Sequence, residues 1–352
     1  MWFLQARHKL KEITSVSGGS ILNGFLALKW KDLKFNKKDI AENFDEIITL
    51  PIKYYCSKTI DIWAIAKGYI NPFKSAGEYV IDSYNKYLFN GKLLQEISDS
   101  KNTPRFIFYS TGLQTGVGVR ISKEYLADYR IGQVVKPKLQ IAQVVAASSA
   151  FPPFLCPIKI KIKPNQWVNW PEGAPLFEAN LLKQELLLVD GGVYDNLGIE
   201  RLWDRYSTVL VSDAGAPFNT YSTLKMVKIF NIARLIRSVN IMQRQVESLR
   251  KRILIEDFIK KVRKGAYWGL STNINDYNLE KNKKGKSLVK DNKITGSLKN
   301  IRTRLNSFSN KEQAQLINWG YALSDAAMRR HVISGDVAIG TWPQPEFSLG
   351  DV

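Results

Sequence analysis

The chain has 352 residues, 45% of them hydrophobic and 24% charged, which excludes a disordered chain and accommodates two domains or one large α/β unit with appendages. Lysine and arginine total 51 against 32 acidic residues, and the net charge of +19 favours polyanionic surfaces, either nucleic acid or anionic lipid headgroups. The two cysteines, Cys56 and Cys156, lie far apart and outside any CxxC pair, which excludes a disulfide framework and a cysteine-based zinc site and fits a reducing compartment.

Residues 2–11 read as a helix whose basic residues follow a short apolar stretch. A secretory signal has the opposite order, so the expected location is cytoplasmic. A short strand over 13–16 follows, and Gly18-Gly19-Ser20 opens an amphipathic helix carrying Ile21, Leu22, Phe25, Leu26 and Trp30. Residues 40–100 read as helical and connecting, with Tyr79, Tyr84, Tyr87 and Leu88 on a helix that stops at Asn90-Gly91. Residues 105–110 form a strand. The uncharged run 139–158 is long enough to span a membrane, but Gln140, Gln143, Pro152, Pro153 and Pro157 interrupt it. A buried helix followed by a rigid loop is expected there, with no transmembrane helix. The apolar runs 186–189 and 208–211 have the character of strands buried on both faces, which points to a mostly parallel central sheet. Strands alternating with helices then predict a three-layer α/β/α sandwich with a helical C-terminal part.

Leu235, Val239, Met242, Val246, Leu249 and Ile253 recur at alternating spacings of four and three, one apolar stripe on a long helix flanked by Arg237, Arg244, Arg250, Lys251 and Arg252. The stripe is expected to pack on the sheet; the competing reading docks this helix peripherally on anionic lipid. The lysine-rich stretch 259–300 reads as a basic, partly mobile loop. Ser309-Asn310-Lys311-Glu312 has the capping-box pattern of a last helix carrying Leu316, Gly320, Leu323 and Ala327. The expected organisation is a catalytic domain over 1–258, the basic loop over 259–300, and a C-terminal helix and tail over 301–352 packed on the catalytic domain.

Ser17 stands in Ser15-Val16-Ser17-Gly18-Gly19, between a strand and a helix. A serine hydroxyl attacks an ester only when it is held exposed beside a base, and a sharp strand-to-helix turn with tiny neighbours holds it so. The Gly18 N–H, at a helix N-terminus, is a candidate oxyanion donor, and Gly19 relieves the tight turn. The hydrolase order Ser, Asp, His is met by Ser17, Asp190 and His331. His331, however, ends Arg329-Arg330-His331, where a helix dipole favours a cation, and reads as structural, as does His8. A carboxylate is then the proton acceptor. Asp190 ends an apolar strand and is followed by Gly191 and Gly192, which permit close backbone or substrate approach. Asp213, in Ser212-Asp213-Ala214-Gly215, is the rival and reads as a turn former; Asp195 reads as a helix cap or helix-start residue.

Together these segments resemble the patatin-like phospholipase family. Ser15-Val16-Ser17-Gly18-Gly19-Ser20-Ile21 resembles its nucleophile elbow, Ala147-Ser148-Ser149-Ala150-Phe151-Pro152-Pro153 its alanine-serine-proline block, and Asp190-Gly191-Gly192 its D-G-[AG] motif. Thr111-Gly112-Leu113-Gln114-Thr115-Gly116 resembles the segment between those blocks. The resemblance covers roughly residues 2–217. It implies hydrolysis of acyl ester bonds in phospholipids or other acyl lipids, with Ser17 as nucleophile, Asp190 as proton acceptor and an acyl-enzyme intermediate. No cofactor or metal is implied, and no metal-ligand spacing is present. The family carries a first strand and a glycine-rich oxyanion loop ahead of the serine, whereas residues 1–16 contain no glycine. The expectation is therefore an enzyme sequence lacking that loop, and the alternative is a catalytically impaired lipid-surface-binding protein. No zinc finger, RRM signature or basic-aromatic ladder points to nucleic acid, which is not an expected partner. No oligomeric state follows from these features.

Overall fold

The structure, a computed structural model, describes residues 10–215, 232–335, 337 and 339–350. Residues 2–9 of the predicted leading helix, His8 among them, lie outside the described residues. Two units are distinguished, Met1–Glu200 with Arg304–Ser309 and Arg201–Thr303 with Asn310–Val352.

In the first unit, β1 (Glu12–Ser15) leads into α1 (Gly18–Lys29), followed by α2 (Leu50–Cys56), α3 (Asp61–Ile70) and α4 (Ala76–Tyr84). The chain continues through a wider turn, Asn85–Phe89, and stops where predicted: Asn90 takes the left-handed conformation at φ 46°. Next come β2 (Arg105–Gly112), β3 (Val117–Ser122), β4 (Tyr125–Asp128) and β5 (Gly132–Val135). After them follow α5 (Ile141–Ser149), β6 (Ile158–Lys161), β7 (Trp167–Val168), α6 (Asn180–Gln184), β8 (Glu185–Asp190) and α7 (Gly192–Asp195). The run 139–158 is thus a buried helix and a loop, as its prolines dictate.

The sheet order is β6-β8-β2-β3-β4-β5-β7, with β1 added beside β2. This overturns the mostly parallel central sheet of the expected α/β/α sandwich. Only β1 and β2 run parallel; every other pairing in this sheet is antiparallel. The connections explain the difference. Only Lys123 and Glu124 separate β3 from β4, whereas a parallel pair needs a crossover of about a dozen residues or more. Between β2 and β3 the chain reverses through Gly116 at φ 72°, a conformation costly for any residue with a Cβ. Strand β8 is buried as its apolar run requires, with α5 packed on both β2 and β8, but burial on two faces carries no information about strand direction. Phe25, Trp30, Tyr84, Phe106, Phe108, Ile141, Val145 and Leu188 belong to one core cluster that joins α1, α4, α5 and the sheet.

In the second unit, β9 (Thr208–Asp213) and β10 (Lys264–Gly269) pair in parallel on either side in sequence of α8 (Ile232–Ile259), and α9 (Lys293–Leu298) and α10 (Asn310–His331) follow. The run 208–211 is therefore a parallel strand, but in a separate two-stranded sheet. The lysine-rich stretch holds β10, a 3-10 turn at Ile274–Tyr277 and α9, and it buries Trp268, Tyr277, Leu279, Val289 and Leu298. Arg329 of α10, itself buried and paired with Asp325 at 2.6 Å, donates to the carbonyls of Lys284 and Lys286 at 2.8 Å each. A buried guanidinium retains its charge only with such partners, so these two carbonyls tie the stretch to α10. No helix among the described residues is long and apolar enough to cross a membrane.

Candidate active site

Strand β1 delivers Ser17 to the start of α1. Ser17 has φ 54° and ψ −133°, outside the favourable wells of an L-residue, a strain of the kind that sharp functional turns store. The turn is closed by Gly19 N–H donating to the Val16 carbonyl at 3.0 Å and Ser20 N–H to the Ser17 carbonyl at 2.9 Å. Gly18 and Gly19 are exposed, and a Cβ on either would meet nothing within 4 Å, so this side of the serine is open.

Strand β8 delivers the second residue. Asp190 pairs with Ser110 across β2 and β8 and is only 1% exposed. The Ser17 hydroxyl donates to Asp190 Oδ2 at 2.6 Å, and Gly192 N–H donates to Oδ1 at 2.8 Å. Burial pushes the Asp190 carboxyl up to about 6, and the hydrogen bonds from Ser17 and Gly192 restrain the rise. The group is thus ionised at neutral pH yet a far better base than an exposed aspartate.

The end of α5 joins the two arms. The Ser148 carbonyl accepts both Ser17 N–H at 3.1 Å and Gly191 N–H at 3.2 Å, and the Ala150 carbonyl accepts Asp190 N–H at 3.1 Å. A helix leaves its last carbonyls without internal partners, and here Ser148 spends one of them on the site. Beneath the turn, Ser20 Oγ shares hydrogen bonds with Ser15 Oγ at 2.9 Å and Ser148 Oγ at 2.7 Å, while Asn23 Nδ2 donates to Ser15 Oγ at 2.8 Å. Tyr84 and Ser149 share a further hydrogen bond at 2.9 Å. Sequence reasoning assigns no role to this set. Its signals in the sequence are Ser15 and Ser20 in the segment that resembles the nucleophile elbow and Ser148-Ser149 in the one that resembles the alanine-serine-proline block.

The other sequence candidates have different surroundings. His331 belongs to the second unit, where it ends α10, meets the Tyr277 ring edge-on at 6.2 Å, and has its pKa lowered by burial and by Arg330. Asp213, also in the second unit, is held by Lys251 at 2.6 Å and the Tyr267 hydroxyl at 2.8 Å. Burial raises its pKa, but the Lys251 hydrogen bond and charge outweigh this and leave it below the ordinary value. Asp195 ends α7 instead of starting a helix, and its carboxylate accepts the N–H groups of Leu197, Gly198 and Glu200, closing the turn that follows. Among the described residues no group of three or more His, Cys, Asp or Glu is placed to hold a metal ion. Because Ser17 already has a carboxylate acceptor, His331→Ala is expected to leave ester turnover within about twofold of the parent. A histidine general base would cost about 100-fold or more, and steady-state kinetics distinguish the two.

The family model for patatin-like phospholipase matches residues 2–203, the span that carries β1, α1, α5 and β8. The chain belongs to the patatin-like phospholipase family. No curated protein sequence matches it. As a patatin-like phospholipase it is a hydrolase of the lipid acyl ester kind, with lipids as its substrate class. The match ends close to the boundary between the two units, so most of the second unit lies beyond it.

Proposed function

We propose that Ser17 and Asp190 are the catalytic dyad of this lipid acyl hydrolase and that it works through an acyl-enzyme. The observation that carries the reading is the 2.6 Å hydrogen bond from a serine on a strained strand-to-helix turn to a buried carboxylate. Ser17 Oγ attacks the ester carbonyl carbon while its proton passes to Asp190 Oδ2. The tetrahedral oxyanion forms at the start of α1, where the Gly18 N–H and the positive end of the helix dipole stabilise it. The ester C–O bond then breaks, and the leaving alcohol takes the proton from Asp190. Water attacks the acyl-Ser17 carbonyl and gives a proton to the same carboxylate, which returns it to Ser17 Oγ as the fatty acid departs. Gly19 leaves the approach open, and Gly191 and Gly192 let the chain turn tightly behind Asp190.

The acceptor must be ionised, so kcat/KM is expected to fall about tenfold per pH unit below about 6, well above the range of an exposed aspartate. The direct test is covalent. A fluorophosphonate ester probe should give a single adduct on the peptide that contains Ser17, read by mass spectrometry. An adduct on another residue, or none from a preparation that hydrolyses esters, overturns the assignment.

A further inference from the structure

The expected packing of the α8 apolar stripe on a sheet is not found. The inward face of this helix carries an ion network beside the buried Leu254 and the half-buried Phe258. Glu247 is buried and accepts from Lys251 Nζ at 2.5 Å and from Arg244 Nη1 at 3.1 Å. Lys251 also reaches Asp213 at the end of β9, whose carboxylate takes the Tyr267 hydroxyl of β10. These ions compensate one another, so the charged side has a settled place inside the unit. The apolar side is left outward: Val239, Met242, Val246, Leu249 and Ile253 are 47%, 57%, 48%, 51% and 40% exposed. At about 100° per residue the five share an arc of about 80°, with Arg250 beside it on one flank and exposed Arg252 on the other. Lys260 and Lys261 follow at the exposed C-terminal end. Single exposed apolar residues need no explanation; five in one stripe do, and Glu256, which also borders the stripe, is paired with Lys260 at 2.6 Å.

We propose that α8 docks this protein on an anionic lipid surface, lying in the headgroup plane with the stripe among acyl chains and Arg250 and Arg252 among anionic headgroups. Charge chooses the occupant. A second copy would bring a net charge of +19 against +19, whereas an anionic bilayer offers both an apolar layer for the stripe and negative charge for its rim. The docking needs no atom of the dyad.

The test is sedimentation of the full chain with phosphatidylcholine vesicles, with and without phosphatidylglycerol, at low and high salt. Binding is expected to the anionic vesicles and to weaken with salt. Met242→Asp/Leu249→Asp, both at exposed positions, should lower partitioning more than about tenfold with an unchanged melting temperature. Arg252→Glu should lower it without altering the stripe. Ser17→Ala should bind like the parent, so loss of hydrolysis and loss of docking are separable. Equal binding to neutral and anionic vesicles, or undiminished binding by the double variant, overturns the proposal. So does parent self-association that the double variant abolishes in the absence of vesicle binding, which assigns the stripe to a second copy.

Discussion

Asp190→Asn is expected to reduce ester hydrolysis by about 1,000- to 10,000-fold and yet to raise the melting temperature at neutral pH. The activity loss follows from removing the acceptor of the Ser17 proton, since an amide cannot take it. The stability gain follows from where that carboxylate sits. Its pKa rises from 3.8 unfolded to about 6 folded, with burial the main cause. The folded state therefore holds its proton more tightly than the unfolded one. The contribution of Asp190 to stability is fully present below about pH 4, declines as pH rises, and is lost above about 6. The difference is worth about 3 kcal/mol as an upper figure. Asparagine is isosteric, accepts from Gly192 N–H and donates to Ser17 Oγ, so it leaves no orphaned group. The variant should melt on the order of 5 °C higher at pH 7, and the gain should vanish near pH 4. Calorimetry at the two pH values, beside kinetics, checks both halves. A variant that melts lower at pH 7 refutes the account of Asp190 as a buried charge held for chemistry.

Gly191→Ala is expected to be the most damaging single methyl group in the first unit. A Cβ there would lie 2.4 Å from the Tyr109 carbonyl oxygen and 2.7 Å from its carbon. Those are backbone atoms of β2, a strand with neighbours on both sides, so no rotamer change relieves the clash. Either β8 parts from β2 or the turn behind Asp190 shifts, at a cost of about 3 kcal/mol. A shift of the turn also displaces the carboxylate from Ser17, and misplacement by about 1 Å costs on the order of 100-fold in rate. Thermal melts and kcat of the purified variant measure both effects. A native-like melting temperature with full activity contradicts the close approach of these two strands.

The two candidate site residues are legible in the sequence because each has its own local grammar. Ser17 precedes two glycines where a strand gives way to a helix, and Asp190 ends an apolar run and is followed by two more. That these positions, 173 residues apart, share a hydrogen bond is a property of the tertiary fold alone. The direction of the strands is misread from a signal that reports only burial; the two residues between β3 and β4 carry the missing information. The stripe on α8 is legible as a period but not as a facing. Lys251 reads only as one of the cations flanking the stripe, and its partners Glu247 and Asp213 appear only in the fold. The link that Ser148 makes between the two arms is hidden for another reason: it runs through a main-chain carbonyl, which every residue has.

That carbonyl has a mechanical consequence. One oxygen atom, that of Ser148, anchors both the Ser17 peptide and the Gly191 peptide that follows Asp190. A change at the end of α5 that moves this oxygen is therefore expected to move the Ser17 and Gly191 peptides together.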